Sequence, residues 1–531
     1  MIKHSTLDLD DVNIYPKLIF DYLRNNLPKD ILPYQGYDIE NFEAIIKAKK
    51  SNYLYRNELI TALKNQYIGE EENVLVSKNI ARLQHSDTFC VTTAHQLNIF
   101  SGPLYVIYKI ISAIKLAKEL KSKYPTKDFL AIYVLGSEDH DLAEINNFSI
   151  FNKKITWDTT QTGICGNMNP STLQKDIDEL ALILGEKGKD IIEVLTHSYQ
   201  KDNLAKAHKQ LIHTIIGYDD FLIIDGNDKT LKSCFTTVMK NEIANPLSKS
   251  LVETQNQKLI SNQYNPQAFA RDINLFYIDK ANHKRERIEL ENNYYKILNT
   301  NYIYSNNEII NLIEKTPENF SPNVILRPLY QQTYLPSIAY VGGAGELSYW
   351  MQLPLLFEKY NTAFPMLIAR NSALFLSKNL ASKANKIGLS IEDLFDTALN
   401  IQKQYLSKNN PTISLNENTK IAIEQQYKQI HDTVTNIDKS LQSFVLAEKH
   451  KALQQLEGVF AKIDKSLKQQ QNTQMIQIEQ IKNTLFPNNN LQEREDSFIW
   501  LWYIFGKEYI LNILNEKFEA MPKSIHIFEE I

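Results

Sequence analysis

Apolar and polar positions change their spacing several times along the chain, and each change predicts a different kind of element. Over roughly the first 85 residues the apolar positions fall three and four apart, as in Phe42, Ile45 and Ile46 and again in Leu59 and Leu63, which predicts helices with one buried stripe. From Thr88 the chain turns β-branched and aromatic (Thr-Phe-Cys-Val-Thr-Thr), which predicts a strand followed by the loop 94–103. Residues 104–120 are apolar almost all round at first and charged near the end, as in a helix laid over a sheet. Phe129 to Leu135 carries no charge, which fits a strand buried on both faces of a parallel sheet. Strand, helix and strand make a βαβ unit, and right-handed winding places both strand ends at one rim. The 92–103 loop and the segment after Leu135 are therefore expected to converge.

Further along, Phe148 to Trp157 reads as a hairpin, 171–216 as an inserted helical module, and Phe221 to Asp225 as another buried strand ending in an acid. The alternation across 269–298 predicts an antiparallel hairpin outside the main sheet, and Ile338 to Val341 a strand before a glycine turn and a helix. Later, Ile423, Tyr427, Ile430, Val434, Ile437, Leu441 and Phe444 take coiled-coil spacing. A second phase (Leu456, Val459, Ile463, then Met475, Ile478, Ile481, Leu485) follows a break near 438–452, which predicts two long helices packed as a hairpin. The expected division is an α/β core over 1–375, with helical and hairpin insertions near 150–320, and a helical coiled-coil domain over 376–531 that pairs two subunits.

Composition narrows the class. The chain has 531 residues, 43% hydrophobic and 23% charged, too long for one ordinary core. A net charge of −4 supplies no basic field for nucleic acid or an anionic membrane surface. Cys90, Cys165 and Cys234 are too few and scattered for a disulfide framework or a cysteine zinc site, which favours a reducing, cytoplasmic setting. The amino terminus lacks a secretory pattern, and the most apolar stretch, Phe498 to Phe505, is too short to cross a bilayer.

Candidate chemistry concentrates where the predicted strands end, which is where ligands of open α/β sheets gather. Phe129–Leu135 runs into Gly136-Ser-Glu138-Asp139-His140-Asp141, three acids and an imidazole suited to general acid–base work. Crowded carboxylates repel, so at least one should hold its proton more tightly unless a cation or substrate amine compensates. The same acids could cap the next helix or hold Mg²⁺ through oxygen ligands. His140, with three carboxylate neighbours, reads as a proton shuttle. On the converging loop His95 offers a second proton carrier and Gln96 an amide. Arg327, at a strand-like end before Pro328, could clamp a carboxylate or phosphate, or serve a structural ion pair. Gly342-Gly343-Ala344-Gly345-Glu346 misses the full dinucleotide-binding glycine pattern because Ser348 takes its last position. That turn can bring amides to an anion or simply make a tight bend, and Glu346 could hold a substrate amine, take a proton or cap the helix. The sequence has no phosphate-binding P-loop, zinc helix, nucleophile elbow or C-x-x-C pair.

Taken together, Thr93-Ala-His-Gln-Leu-Asn-Ile-Phe-Ser-Gly-Pro-Leu-Tyr105, Gly136-Ser-Glu-Asp-His-Asp141, Arg327-Pro-Leu-Tyr-Gln331 and Tyr340-Val-Gly-Gly-Ala-Gly-Glu346 resemble the BshC family, the cysteine-adding enzymes of bacillithiol biosynthesis. Leu485-Phe-Pro487 and Leu491-Gln-Glu-Arg494 are similar to the family's ending after its coiled coil, so the resemblance covers nearly the whole chain. It implies a Rossmann-like core of the nucleotidylyltransferase type, interrupted by connecting insertions, and a coiled coil that makes a homodimer. It also implies a ligase joining the carboxyl of cysteine to the amine of glucosaminyl malate through a C–N amide bond. Amide formation in water needs an activated carboxyl, an acyl-adenylate or acyl-phosphate. The nucleotide is left open, ATP being one choice, as is a need for Mg²⁺; no metal ligands are assigned. On matching positions the resemblance gives the chemistry to Glu138, Asp139, His140 and Asp141. It gives substrate or nucleotide binding to Thr93, His95, Gln96, Gly102, Arg327 and Gln331, and to Gly342, Gly343, Gly345, Glu346 and Tyr349. The chain departs from the commonest pattern at Ala94 and His95, where Thr-Gly-Gln-Gln is usual, and at Asn147, which replaces a frequent histidine. A nucleotidylyltransferase, a ligase for another amino acid and an inactive coiled-coil scaffold are the competing readings.

Overall fold

The computed structural model describes residues 2–12, 14–70, 73–151, 153–409 and 414–531. The chain forms two compact units, Asp8–Leu374 with Gln492–His526, and Met1–Leu7 with Phe375–Leu491 and Ile527–Ile531.

The first unit is built on five strands, β1 (Thr88–His95), β2 (Asp128–Leu135), β3 (Phe221–Asp225), β4 (Ser337–Gly342) and β5 (Met366–Ala369). They lie in the order β5-β4-β1-β2-β3, every pair parallel. β1 and β2 run in register from Thr88 opposite Asp128 to His95 opposite Leu135. The strands are buried on both faces, which is why they show no regular hydrophobic–polar alternation. Helix α1 (Leu104–Lys123) joins β1 to β2 and packs on both, as its apolar start predicts. Chain order reverses between β1 and β4, and a sheet of this order leaves a crevice at its carboxyl edge there. The expected strand at 338–341 is β4; it is followed by the glycine turn and helix α3 (Ala344–Trp350). Arg327 does not end a strand. It opens helix α2 (Arg327–Tyr334), because Pro328 suits a first helical turn and Asn323 turns the chain beforehand, its Oδ1 accepting from the amides of Ile325 and Leu326 at 2.9 and 3.3 Å.

The insertions match their sequence patterns. Asn147–Ile150 and Lys153–Thr156 pair antiparallel, and helices cover Gln174–Leu184, Lys189–Ser198 and Leu204–Ile216; Asn152, inside the first hairpin, lies outside the described residues. Leu275–Asp279 and Lys284–Glu291 form the expected hairpin, extended into a five-stranded sheet by Tyr294–Ile297, Ile303–Tyr304 and Phe320–Pro322. The helical reading of the amino-terminal residues holds for Phe42–Asn52 and Arg56–Gln66, with Leu59 and Leu63 fully buried, but Ile2–Asp8 is a strand. Its partner is Ser524–Glu530, at the far end of the chain, so local spacing could not reveal it.

In the second unit α4 (Ser414–Ile437) and α5 (Gln442–Gln470) pack side by side, and α6 (Asn472–Leu485) follows. The reversal is confined to Asp438–Leu441, the early edge of the expected break, where the Asp438 carboxylate accepts from the Ser440 amide at 2.9 Å.

Candidate active site

All five strands of the parallel sheet deliver residues to one cavity of about 1180 Å³. β1 brings His95 and Gln96, and β2 is followed by Gly136 and Glu138 to Asp141. β3 brings Gly226, β4 Gly343, Gly345 and Glu346, and β5 Arg370. Arg327 and Gln331 from α2, Tyr349 from α3, Phe276 and Arg285 from the antiparallel sheet, and Arg494 close the walls.

The two loops of the βαβ unit do converge. The Gly136 amide donates to the His95 carbonyl at 2.7 Å, and Gln96 Nε2 donates to Asp139 at 2.6 Å and to Glu144 at 2.5 Å. Glu138 and Asp139 each have partners of their own. Glu138 is paired with Lys232, which is wholly buried and also donates to the Phe320 carbonyl. Burial lowers the Lys232 pKa, and Glu138 works against that shift. Asp139 accepts from Gln96 and from the His140 amide at 3.0 Å. Asp141 occupies the position before the short helix Leu142–Ile145, but its side chain makes no capping bond, so capping does not account for it. His140 is not ringed by carboxylates as its neighbours in sequence suggest. Its Nδ1 is 3.3 Å from the Arg285 guanidinium and 3.8 Å from Asp139.

Glu346 caps its helix, one of the three roles its position allows. It pairs with Lys109 at 2.7 Å and accepts from Tyr340 Oη at 2.5 Å and from the Gly343 amide at 3.0 Å. Burial favours its neutral form, but Lys109 and these hydrogen bonds prevail and lower its pKa to about 2. Glu346 is thus a poor proton acceptor, and the ammonium it holds is the protein's own. His95 is a hydrogen-bonding group and carries no charge. Burial, reinforced by Lys109, pushes its pKa down to about 3, and Nε2 lies 3.1 Å from Tyr105 Oη. Arg327 donates to Tyr349 Oη, and among the described residues no carboxylate lies within ion-pair reach of it. Gln331 is buried, donates to Thr92 at 3.1 Å, and leaves its Oε1 without a hydrogen-bond partner.

Twelve of the fifteen sequence candidates line this cavity; Thr93, Gly102 and Gly342 do not. Thr93 is wholly buried and donates to the Val341 carbonyl at 2.8 Å, tying β1 to β4. Gly342 packs against the Tyr340 ring and Glu346. Gly102 lines a neighbouring hollow of about 420 Å³ that shares His95, Gln96, Tyr105, Glu144 and Arg494 with the main cavity. The buried cations Lys109, Lys232, Arg285 and Arg370 escaped sequence reasoning. A signal existed for two of them, since Lys109 is the only charge in the apolar stretch 104–114 and Arg370 directly follows a strand. Arg370 pairs with Glu493 at 2.5 Å, both buried.

The sheet order and the cavity at its switch point, where charged side chains meet apolar walls, define a Rossmann-type α/β protein with a ligand-sized site. Two family models divide the chain, "Bacillithiol biosynthesis BshC, N-terminal Rossmann-like domain" over residues 3–371 and "Bacillithiol biosynthesis BshC, C-terminal coiled-coil domain" over 373–528. Relatives named "Putative cysteine ligase BshC" include those of Flavobacterium psychrophilum, 35% identical, and Flavobacterium johnsoniae, 36% identical, each match covering 97% of both chains. One from Bacillus cereus strain Q1 is 25% identical over 94% of this chain and 96% of its own. The chain belongs to the BshC family of bacillithiol biosynthesis.

Proposed function

We propose that this protein is a ligase that joins the carboxyl of cysteine to the amine of glucosaminyl malate, forming bacillithiol. The observation that carries the reading is Arg327, a guanidinium in the cavity wall with no carboxylate partner among the described residues, facing the same space as acids able to receive an amine. A partly buried cation without a counter-ion favours an anionic ligand. Tyr349, Tyr340 and Glu346 keep Arg327 charged against the cost of burial, so a guanidinium cation faces the cavity.

An oxygen of the cysteine carboxylate attacks the α-phosphorus of ATP, pyrophosphate leaves, and cysteinyl-adenylate results. The sugar amine then attacks the carbonyl carbon, and AMP departs with the bonding pair. Arg327 and Arg494 hold the anionic groups. Asp141, whose side chain makes no capping bond, receives the proton that the attacking amine releases. The exposed apolar positions of the helical hairpin, Ile430, Phe444 and Val459 among them, support pairing of two copies.

The full chain mixed with cysteine, glucosaminyl malate and ATP is expected to yield bacillithiol by mass spectrometry, with AMP in equal amount. Loss of one acid–base group costs about 10²- to 10⁴-fold in rate, and Asp141→Asn should fall in that range. Absence of product under any nucleotide supply refutes the reading. Product with another amino acid, or adenylate without amide, points to the rival enzyme classes, and unchanged cellular thiols after Asp141→Asn point to a scaffold.

A further inference from the structure

We propose that Arg285 fixes His140 as the neutral tautomer protonated at Nε2, which makes His140 a hydrogen-bond donor to the ligand in the cavity instead of a carrier of protons. The role assigned to His140 in amide formation rests on the ligase reading; the tautomer does not.

Arg285 lies on the strand Lys284–Glu291, opposite Ile278, with only 9% of its side chain exposed. Its guanidinium is held on three sides. It stacks 3.9 Å from the centroid of Phe276, donates from Nε to Ser321 Oγ at 3.1 Å, and reaches the Pro322 carbonyl from Nη2 at 3.4 Å. Nη1 is thereby aimed at His140 Nδ1, 3.3 Å away. A guanidinium has five donors, no acceptor, and keeps its proton in proteins. Nδ1 must therefore accept, with its lone pair, and the one proton of the neutral ring resides on Nε2. An imidazolium, with hydrogen on both nitrogens, cannot make this contact.

The competing partner for Nδ1 is Asp139. An Nδ1–H bonded to that carboxylate would leave Nε2 with a lone pair and make His140 a general base, the arrangement of a catalytic triad. Distance decides against it. Asp139 Oδ1 is 3.8 Å from Nδ1, beyond a hydrogen bond, and already accepts from the His140 backbone amide at 3.0 Å. Besides Asp139 and Arg285, the ring packs on Phe276, with centroids 5.9 Å apart.

A neutral imidazole N–H suits an oxygen on which charge develops. As the amine nitrogen attacks the activated carboxyl, the carbonyl π pair moves to oxygen, where Nε2–H can stabilise it, and returns as AMP is expelled. No proton passes through the ring. Arg285 acts as a positioning residue, from a sheet distant in sequence from the acidic turn.

The test is nitrogen-15 NMR of the full chain with labelled histidine and without substrates, the His140 signals being identified by their loss in His140→Gln. The wild type is expected to show an unprotonated Nδ1 and a protonated Nε2; the opposite pattern overturns the proposal. Arg285→Met keeps the apolar contact with Phe276 and removes the donor. It should move the proton toward Nδ1, now free to approach Asp139, and an unaltered tautomer in a folded variant overturns the assignment to Arg285. The wild-type spectrum decides the tautomer even if this variant misfolds. In turnover, removal of one such donor costs about 10²- to 10³-fold. His140→Phe should lose that much, while His140→Gln, whose amide still donates, should lose less than about tenfold; equal loss in both overturns the donor role. If no bacillithiol forms at all, the ligase reading fails while the spectrum still reports on Arg285.

Discussion

At the scale of single residues, the cavity is held by buried cations that already have partners. Lys109 has 1% of its side chain exposed and serves both Glu346 and the Ala94 carbonyl, tying the glycine turn to the β1 end. Removing one member of a buried pair costs about 3–5 kcal/mol. Since Glu346 keeps some solvent contact, Glu346→Ala is expected to lose about 2–4 kcal/mol, read as a lower denaturant midpoint at pH 7. The Glu346 pKa is about 2, below its ordinary 4.5, so its contribution is full above pH 4.5 and disappears as pH falls toward 2. The wild type and Glu346→Ala should therefore converge in stability across that window. His95 has the same sign by another cause. Its pKa falls from 6.5 to about 3 because burial favours the neutral ring, so the unfolded chain binds the extra proton between those values. Stability from this group is complete above pH 6.5 and declines below it, at up to about 1.4 kcal/mol per pH unit. His95→Gln should flatten the melting temperature against pH between 4 and 6.5 relative to the wild type, and parallel curves would contradict the assignment.

At the scale of elements, loop backbones place the side chains. Gly102 has φ +66° and ψ −164°, a region essentially closed to other residues, and a Cβ there would come within 2.6 Å of Asn98 Cβ. Gly102→Ala is expected to cost about 1–3 kcal/mol and to disturb the hollow next to the cavity. Gly102 thus matters through the loop's shape, without lining the main cavity. Strand Lys284–Glu291 shows the limit of local reading. Its alternation predicts a hairpin, but only its register, Ile278 opposite Arg285, settles that Arg285 reaches His140. A one-residue slip would turn that side chain to the other face.

At the scale of the whole molecule, the long helices leave Phe444 at 62% and Val459 at 54% exposed, apolar surface that pairing of two chains would cover. The protein is expected to sediment at twice the 61.5 kDa chain mass, and Phe444→Lys with Val459→Lys to shift it toward the monomer; a monomeric wild type would contradict the dimer.

The sequence by itself determined the elements whose cause is local. Charge-free runs became the strands of a parallel sheet, the lone apolar stripe became a helix hairpin, and strand ends running into His95, Glu138 and Gly343 marked the rim. These follow because burial on one or both faces imposes a period on nearby residues. Only the tertiary structure decided what the charged groups do. Glu346 is spent on Lys109, Glu138 on Lys232, and His140 is met by Arg285, partners 94 to 237 residues away in the chain. Electrostatic partnership depends on distance and exposure, which no local spacing encodes, so the same acids and imidazoles that locate the site leave their roles to the fold.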